Sequence, residues 1–495
     1  MRAYDAFFFG ALFFLLGVLV ASMGWHEAVW WIVGGGIALS IAFQLCHRKK
    51  HSNILSNVRM WWWGEGWLVV AVLLFFIPAG AFYYRTDDAH FSRAPLPEDE
   101  RTFRVAVVSH PTVKEGTQEA VFALEGYNIR VLAKLPAYPA FSYGDRAMFE
   151  GRIEKPFSDS YRTYLAKERI RGVMAFPKIF AHESGNLSFR AALYMFRDKI
   201  VDAFRRTLPA KEAALMAGVT VGAREDFSEE FRAAMAKSGT THITALSGYN
   251  ISVVIQYVMW FLLFVFPRRS AFIATLGVVL AFVLMTGAEA SVVRAAVMGA
   301  IALLASHVGR RASTRNIIIL AALAMVLVNP KVLAFDLGFQ LSFLALLGIV
   351  YLKPALDRFF GWGRDHGRGV FSWRENLTTT ASAQFAVAPL LIHTFGSVSV
   401  TSLAANLLVL EVVPLTMGLG FILAGVSLVS LFLSKLIALV ALLFLKFQTF
   451  VIELFATLAI PVGPTFSLGT VLLYYGAIVV FVYYVRRNRF IPRKI

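Results

Sequence analysis

The chain has 495 residues, of which 58% are hydrophobic and 16% charged, a balance too apolar for an ordinary soluble enzyme. The 48 Lys and Arg against 31 Asp and Glu leave a net charge of +17, which suits positive cytoplasmic loops or a polyanionic substrate. The single cysteine, Cys46, excludes an internal disulfide and a thiolate metal cluster.

Three apolar runs open the chain, at residues 6–23, 28–45 and 67–83, each long enough to cross a hydrocarbon core at 1.5 Å per residue. The first has the hydropathy of a signal peptide, but only Arg2 as basic flank and no small-residue cleavage site, so it is expected to stay as a first helix. His47-Arg48-Lys49-Lys50-His51, with Arg59 further on, marks the loop after the second run as cytoplasmic. Trp30, Trp31 and Trp61 to Trp63 suit interfacial belts.

Residues 85–208 are then expected outside the cytoplasm, and their pattern changes. Short alternating runs at 102–109, 119–124, 128–135, 146–153 and 172–180 predict five strands, with a helical stretch at 161–169 before the last. That is the element set of an OB-like β-rich domain. From Thr241 the chain returns to the membrane, with spans expected near 242–266, 271–285, 291–306, 316–328, 337–352, 377–395, 436–459 and 468–485. The piece at 402–433 is read as one crossing plus a partly inserted segment, broken at Pro414 and Gly418. Basic groups at Arg268 and Arg269, at Arg310, Arg311 and Arg315, within 353–374, and at Arg486, Arg487 and Arg489 then share the cytoplasmic side. The expected fold is a polytopic α-helical membrane protein of about 12 spans with an inserted extracytoplasmic OB-like domain. Its segments are 1–84 (three transmembrane helices), 85–208 (outer domain), 209–433 (core) and 434–495 (last helices and a basic cytoplasmic tail).

Polar side chains inside apolar helices are costly unless they meet other helices or water. Residues 237–251 concentrate them: His242, Ser247, Gly248 and Asn250 stand where a lipid-facing helix would carry Leu and Val. Ser247-Gly248 can unwind a helix and expose its carbonyls and amides to a ligand, or can serve close helix packing. Arg294 lies about one turn inside another span, with Glu289 as its nearest candidate partner in sequence; its alternatives are a structural salt bridge and a phosphate contact. Asp336 suits a helix cap. Gln340, Ser342, Gln384 and Asn406 complete the set, each explicable singly as an interhelical hydrogen bond. In the outer domain, Phe141, Tyr143 and Tyr161 with Arg146, Arg152 and Arg162 make either a single-strand-binding surface or an ordinary core with solvated charges.

These motifs together resemble the ComEC family of competence proteins. His242 through Gly248 matches the family's His, small and apolar run, Ser-Gly; Ser291 to Ala295 matches Ser-x-x-Arg-Ala, and Phe339 to Phe343 matches Phe-Gln-Leu-Ser-Phe. Gln384 to Pro389 and Ala405-Asn406-Leu407-Leu408 match later positions, and Gly144-Asp145 with residues 161–172 resemble the family's OB-like domain. The resemblance implies a multi-pass bacterial inner-membrane channel passing single-stranded DNA during transformation, in contact with membrane lipid. It also implies a helicase-like ATPase inside and DNA-binding competence proteins outside as partners; a homo-oligomer is one candidate assembly, which the sequence does not decide. No P-loop is present, so the motor must be a separate protein.

Two departures stand out. Many relatives have Leu-His after the Ser-Gly, where this chain has Tyr249-Asn250. Many also carry a C-terminal metallo-β-lactamase-like domain, whereas this sequence shows no clustered metal-binding histidines. A non-enzymatic chain with no catalytic residues, metal or cofactor is therefore expected. Two other classes compete: a transporter of a small or lipid-linked anionic solute built on interrupted helices, with Glu411 and Glu453 as its acidic candidates, and an intramembrane enzyme using His242 and Ser247. The latter lacks an acid to orient the histidine.

Overall fold

The computed structural model describes residues 3–25, 67–93, 96–97, 101–114, 116–127, 129–244, 246–307, 313–362, 373–396, 398–399, 401–459, 461–462 and 467–487. The expected span at 28–45, the basic loop after it, the tryptophans at 30, 31 and 61–63, and the basic positions 310, 311 and 489 lie outside these residues. Two units divide the chain: residues 1–187 with 297–337, and residues 188–296 with 338–495.

In the first unit, helix α1 (Ala3–Ser22) packs along α2 (Trp67–Arg93). Their backbones touch at glycines. A Cβ at Gly17 would stand 2.0 Å from the carbonyl oxygen of Ile77, and one at Gly80 would stand 2.1 Å from that of Phe14. Small residues at crossings are how membrane helices approach closely without a hydrophobic drive. Helix α2 runs past its apolar stretch to Arg93, so Asp87 and Asp88 ride on a polar extension of the same rod.

The β-rich part contains β1 (Arg101–Val107), β2 (Thr112–Lys114), β3 (Thr117–Leu124), β4 (Ile129–Pro136), β5 (Arg146–Gly151), β6 (Ile170–Ala175) and β7 (Lys178–Glu183). Their order is β6-β4-β3-β1-β5-β7, with β2 on β3. The β4–β6 pair is parallel and the other pairs antiparallel. An antiparallel bridge from Glu154 to Val173 ties the segment after β5 to β6, at the far end of the row. Strict alternation of buried and open positions in β3 and β4 points one face inward, as the period of two requires. Phe122, Phe141 and Phe149 pack there edge to face, with centroids 4.9 to 5.9 Å apart, among Val105, Val131, Leu135 and Met174.

The strand expected at 172–180 is in fact two. Phe176 takes a positive φ of 47° before Pro177, which turns the chain out of β6, and it returns as β7 on the free edge of β5. The short strand β2 escaped the pattern because three residues are too few to show alternation. Helix α3 (Asp159–Lys167) starts where Ser158 accepts a hydrogen bond from the Tyr161 amide at 3.1 Å.

A polar clamp holds this part to α2 and to the turn after helix α11 (Thr314–Val328). Arg169 donates two bonds to Asp87, at 3.0 and 2.7 Å. Lys331, 2% exposed, pairs with Asp88 under the rings of Phe91 and Tyr84. Lys167 stands 3.7 Å from Asp336, and Asn329 donates to the Lys167 carbonyl at 2.7 Å.

The second unit begins with three helices that the hydropathy pattern did not announce: α4 (Phe189–Thr207), α5 (Ala210–Val221) and α6 (Glu229–Ser238). α4 is amphipathic and charged, and α5 is a twelve-residue Ala- and Gly-containing helix buried from Glu212 to Val221; neither resembles a span. The helices that follow are α7 (Thr241–Thr244), α8 (Gly248–Val265), α9 (Arg268–Met285), α10 (Ala290–His307) and α13 (Leu337–Leu347), with α12 (Val332–Phe335) in the first unit. α13 continues through a π turn at Gly348–Leu352 into α14 (Lys353–Phe359). Then come α15 (Trp373–Phe395), α16 (Ser402–Ser427), α17 (Leu431–Thr457) and α18 (Leu468–Arg487).

The break expected at Pro414 and Gly418 does not occur: α16 is continuous through both and ends only at Ser427. The Tyr257 hydroxyl donates to the Pro414 carbonyl at 3.2 Å, which ties α8 to α16 beside the proline. Among the described residues, seven helical segments are long and apolar enough to cross a membrane, and 290–304 and 314–328 are shorter apolar helices. The chain is a multi-pass membrane protein with a small β domain.

Candidate functional site

The break comes instead inside residues 237–251. α6 ends at Gly239 with φ 70°, where a Cβ would lie 2.5 Å from that of Ser402. α7 is a single turn, and α8 restarts at Gly248 with Ser247 as its cap. A helix interrupted in this way leaves carbonyls and amides without intrahelical partners, and named side chains take them up. Ser247 accepts from the Asn250 amide at 3.4 Å, while its hydroxyl donates to Asn250 Oδ1 at 2.9 Å. Asn250, 1% exposed, donates from Nδ2 to the Val219 carbonyl in the last turn of α5. Arg224 Nε donates to the Thr244 carbonyl at 3.3 Å, and Ser291 Oγ donates to the Leu246 carbonyl at 2.7 Å.

Arg294 is 5% exposed and lies with its guanidinium carbon 5.7 Å from the centre of the Phe343 ring. Its Nη2 is 3.8 Å from where a Gly248 Cβ would be, so the restart of α8 faces a cation. The partner expected for it is engaged elsewhere: Glu289 bonds Arg224, with Nη2 at 2.9 and 3.2 Å from its two oxygens. Glu289 precedes α10 and meets Arg224 of the 222–228 loop, while the Arg294 guanidinium lies by Gly248 and Phe343.

Ser247, Gly248, Asn250 and Arg294 therefore meet around one helix break. Asn406, 2% exposed, joins through a 3.5 Å bond to the Gly239 carbonyl. His242 is exposed on the one-turn helix α7, and Gln340 and Ser342 are half-buried on α13, the helix that carries Phe343. Gln384 is half-buried on α15 and is not among the described groups that bond to residues 244–250. Arg224 was missed: a lone arginine in a mixed-charge stretch reads as a solvated loop.

In the β domain, Phe141 is 6% exposed in the core, so it is not a surface contact; its ring fills the space between Phe122 and Phe149. Tyr143 is half-buried, and Arg146 is exposed at the start of β5 and Arg152 just past its end, about 20 Å apart at the rise of a strand. Arg146 is 3.7 Å from Glu125. Arg162 is exposed on α3, and Tyr161 stacks between Phe157 at 4.9 Å and Tyr164 at 6.4 Å, with Lys167 4.6 Å above the Tyr164 ring. Burial, then the charge of Glu119 and the neighbouring Tyr164, push the Tyr161 hydroxyl above its ordinary pKa.

Asp145 has a structural task. It accepts from the Gly185 amide at 2.9 Å and the Ser142 amide at 2.8 Å, and lies 3.0 Å from His182 Nε2. Burial alone would raise its pKa, but these bonds outweigh it and hold the carboxyl below its usual range. Among the described residues, no group of three or more His, Cys, Asp or Glu is placed to hold a metal.

Comparison with known proteins falls on the region around the helix break. ComE operon protein 3 of Bacillus subtilis (strain 168) is 27% identical over 278 residues, which are 56% of this chain and 34% of that protein. The chain thus spans about a third of the length of the relative it matches. No solved structure matches it. The family described as "Competence protein" matches residues 219–488, more than half of the chain and the whole stretch holding the broken helix, Arg294 and Phe343, and on that match the chain belongs to the competence protein family.

Proposed function

We propose that this chain forms a path for single-stranded DNA across the bacterial inner membrane during natural transformation. One observation carries the reading: a buried arginine, Arg294, facing a helix restart at Ser247-Gly248 inside a bundle of membrane helices. A guanidinium at such depth is expensive, and a polyanion with one charge per nucleotide needs cationic and donor-rich walls. Family membership and the likeness to a ComE operon protein support the same substrate.

In this reading the bundle has about 12 spans, counting with the seven long helices the apolar runs at 28–45, 67–83 and 377–395 and the shorter apolar helices at 290–304 and 314–328. The β domain is OB-like: the order β6-β4-β3-β1-β5, with β4 and β6 parallel and the Glu154–Val173 bridge closing the row, supports it. It lies outside the cytoplasm, and the C-terminus inside. The exposed face of α3, with Phe157, Tyr161, Tyr164 and Arg162, offers bases rings to stack on. The chain works without catalysis of its own, with a helicase-like ATPase as motor, DNA-binding competence proteins delivering the strand, and self-association into a homo-oligomer.

The test is entry of labelled DNA into a nuclease-protected state in a competent host. Arg294→Glu is expected to abolish entry while surface binding persists, and Arg294→Lys to retain part of it. Full entry with Arg294→Glu in a correctly inserted protein would remove this arginine from the path. Labelling of single cysteines placed at Gly116, Arg311 and Arg489 checks the sidedness, with Gly116 reacting from outside and the other two from inside.

A further inference from the structure

Beside the helix break, the loop from Gly222 to Ser228 is braced in an unusual way. Arg232 donates to three of its carbonyls, those of Phe227, Arg224 and Glu225, at 2.9 to 3.2 Å. Each acid in the loop has its own cation: Glu225 bonds Arg197, which is 7% exposed, and Asp226 takes two 2.7 Å bonds from Arg205. Hydrogen bonding to Asp226 raises the Arg205 pKa above its ordinary value. The loop backbone is thus fixed and its carboxylates are neutralised locally. Arg224 is held by Nε on the Thr244 carbonyl, at the edge of the break.

The other end of Arg224 is different. Its Nη2 meets Glu289, and the two side chains are 40% and 42% exposed. Ion pairs this open are weak, because water and salt compete for both partners. A phosphodiester presents two anionic oxygens much as a carboxylate does and suits an arginine at least as well. Glu289 immediately precedes α10, the helix that carries the buried cation Arg294 five residues on.

We propose that Arg224 is a second phosphate-binding residue of the path, and that Glu289 occupies it when no strand is present, as an internal anion that an incoming phosphodiester displaces. This rests on the reading of the chain as a DNA path. Arg224 gains a phosphate and Glu289 passes to water, so the pair costs the free protein little and keeps the site from closing on stray anions. The rigid loop keeps the guanidinium in place through the exchange.

The test uses the full chain in nanodiscs of zwitterionic lipid, with binding of a fluorescent single-stranded oligodeoxynucleotide read by anisotropy across a salt series. Glu289→Gln is expected to tighten binding severalfold, because the competitor is neutralised while Arg224 stays anchored on Thr244. Arg224→Gln is expected to weaken binding and to lower the slope of log affinity against log salt by about 0.7, the share of one phosphate on a single strand. Arg224→Lys should keep most of that slope. Thermal unfolding confirms that each variant is folded.

Unchanged or weaker binding by folded Glu289→Gln overturns the proposal, since a purely structural pair would only lose stability. So does an unchanged salt slope in Arg224→Gln while Arg294→Glu still loses the strand, which leaves the DNA path standing. An Arg224 effect that appears only as lost retention of anionic lipid, in nanodiscs containing phosphatidylglycerol, assigns the site to a headgroup instead and also overturns it. Wild-type protein that binds no oligonucleotide fails the channel reading and this inference together.

Discussion

The β domain and the helix break treat buried polar groups in opposite ways. In the β domain, the buried carboxylate Asp145 is surrounded by the Gly185 and Ser142 amides and His182, and every one of those bonds stabilises the fold. Around the break, Asn250, Ser291 and Arg224 satisfy backbone groups, while Arg294 brings its guanidinium beside Gly248 and Phe343 and Arg224 also meets the exposed acid Glu289. Asp145 closes on its own domain, whereas Arg294 lies against a ring and a glycine and Arg224 against a half-exposed acid.

The contrast can be broken most directly at the β-domain core. Phe141→Ala removes one of three interlocked rings and should cost about 3 to 5 kcal/mol, measured as a lost or shifted unfolding transition and as new proteolysis between residues 101 and 183. Next comes Asn250→Ala, which strips a partner from both Ser247 and the Val219 carbonyl. It should cost about 1 to 2 kcal/mol, read by thermal unfolding in detergent, and a loss of DNA entry beyond what the lost stability explains would place it in the path.

The pH dependence of the β domain follows from Asp145. Its folded pKa lies below the ordinary 3.8, so its contribution is full above that value and is lost as pH falls through the folded one. Pepsin susceptibility of this domain should rise below about pH 3.8 and should rise less steeply in Asp145→Asn, which begins destabilised. Equal acid sensitivity of the two proteins would show that another carboxylate governs. The smallest effect is expected at Tyr164→Ala. Its ring is half exposed, so stability should move by no more than about 0.5 kcal/mol, and any larger loss of single-strand binding would be functional.

Much of the architecture was legible because hydropathy reports it directly. The apolar helices at 268–285, 290–307 and 468–487 begin and end within a few residues of the positions the pattern predicts. Strands β3 and β4 were visible in their alternation. What escaped was context. Helix α5 is buried on all sides, and its Ala-Ala-Leu-Met-Ala-Gly string is too short to stand out as a span. Pro414 looked like a break because local propensity favours one, yet α16 runs through it.

The candidate site was half legible. Ser247, Gly248, Asn250 and Arg294 stood out as polar residues in apolar surroundings, and they do meet. Arg224 did not, because its role is assigned by three-dimensional neighbours, Thr244 and Glu289, which lie 20 and 65 residues away in the chain. Phe141 was ambiguous for the reverse reason: an aromatic beside Tyr143 and Arg146 has the same sequence appearance in a core as on a surface.

The clamp at the end of α2 has a mechanical meaning. Arg169 ties the end of α3 directly to Asp87 on α2, while Lys167 ties it to Asp336 and Lys331, five residues before Asp336, ties back to Asp88, so the β domain reaches α2 by two routes. A pull on the β domain is shared among them and passes into the shaft of α2, whose close seating on α1 at Gly80 resists sliding. A linker of bare chain would stretch under the same load; this mounting behaves as a bracket.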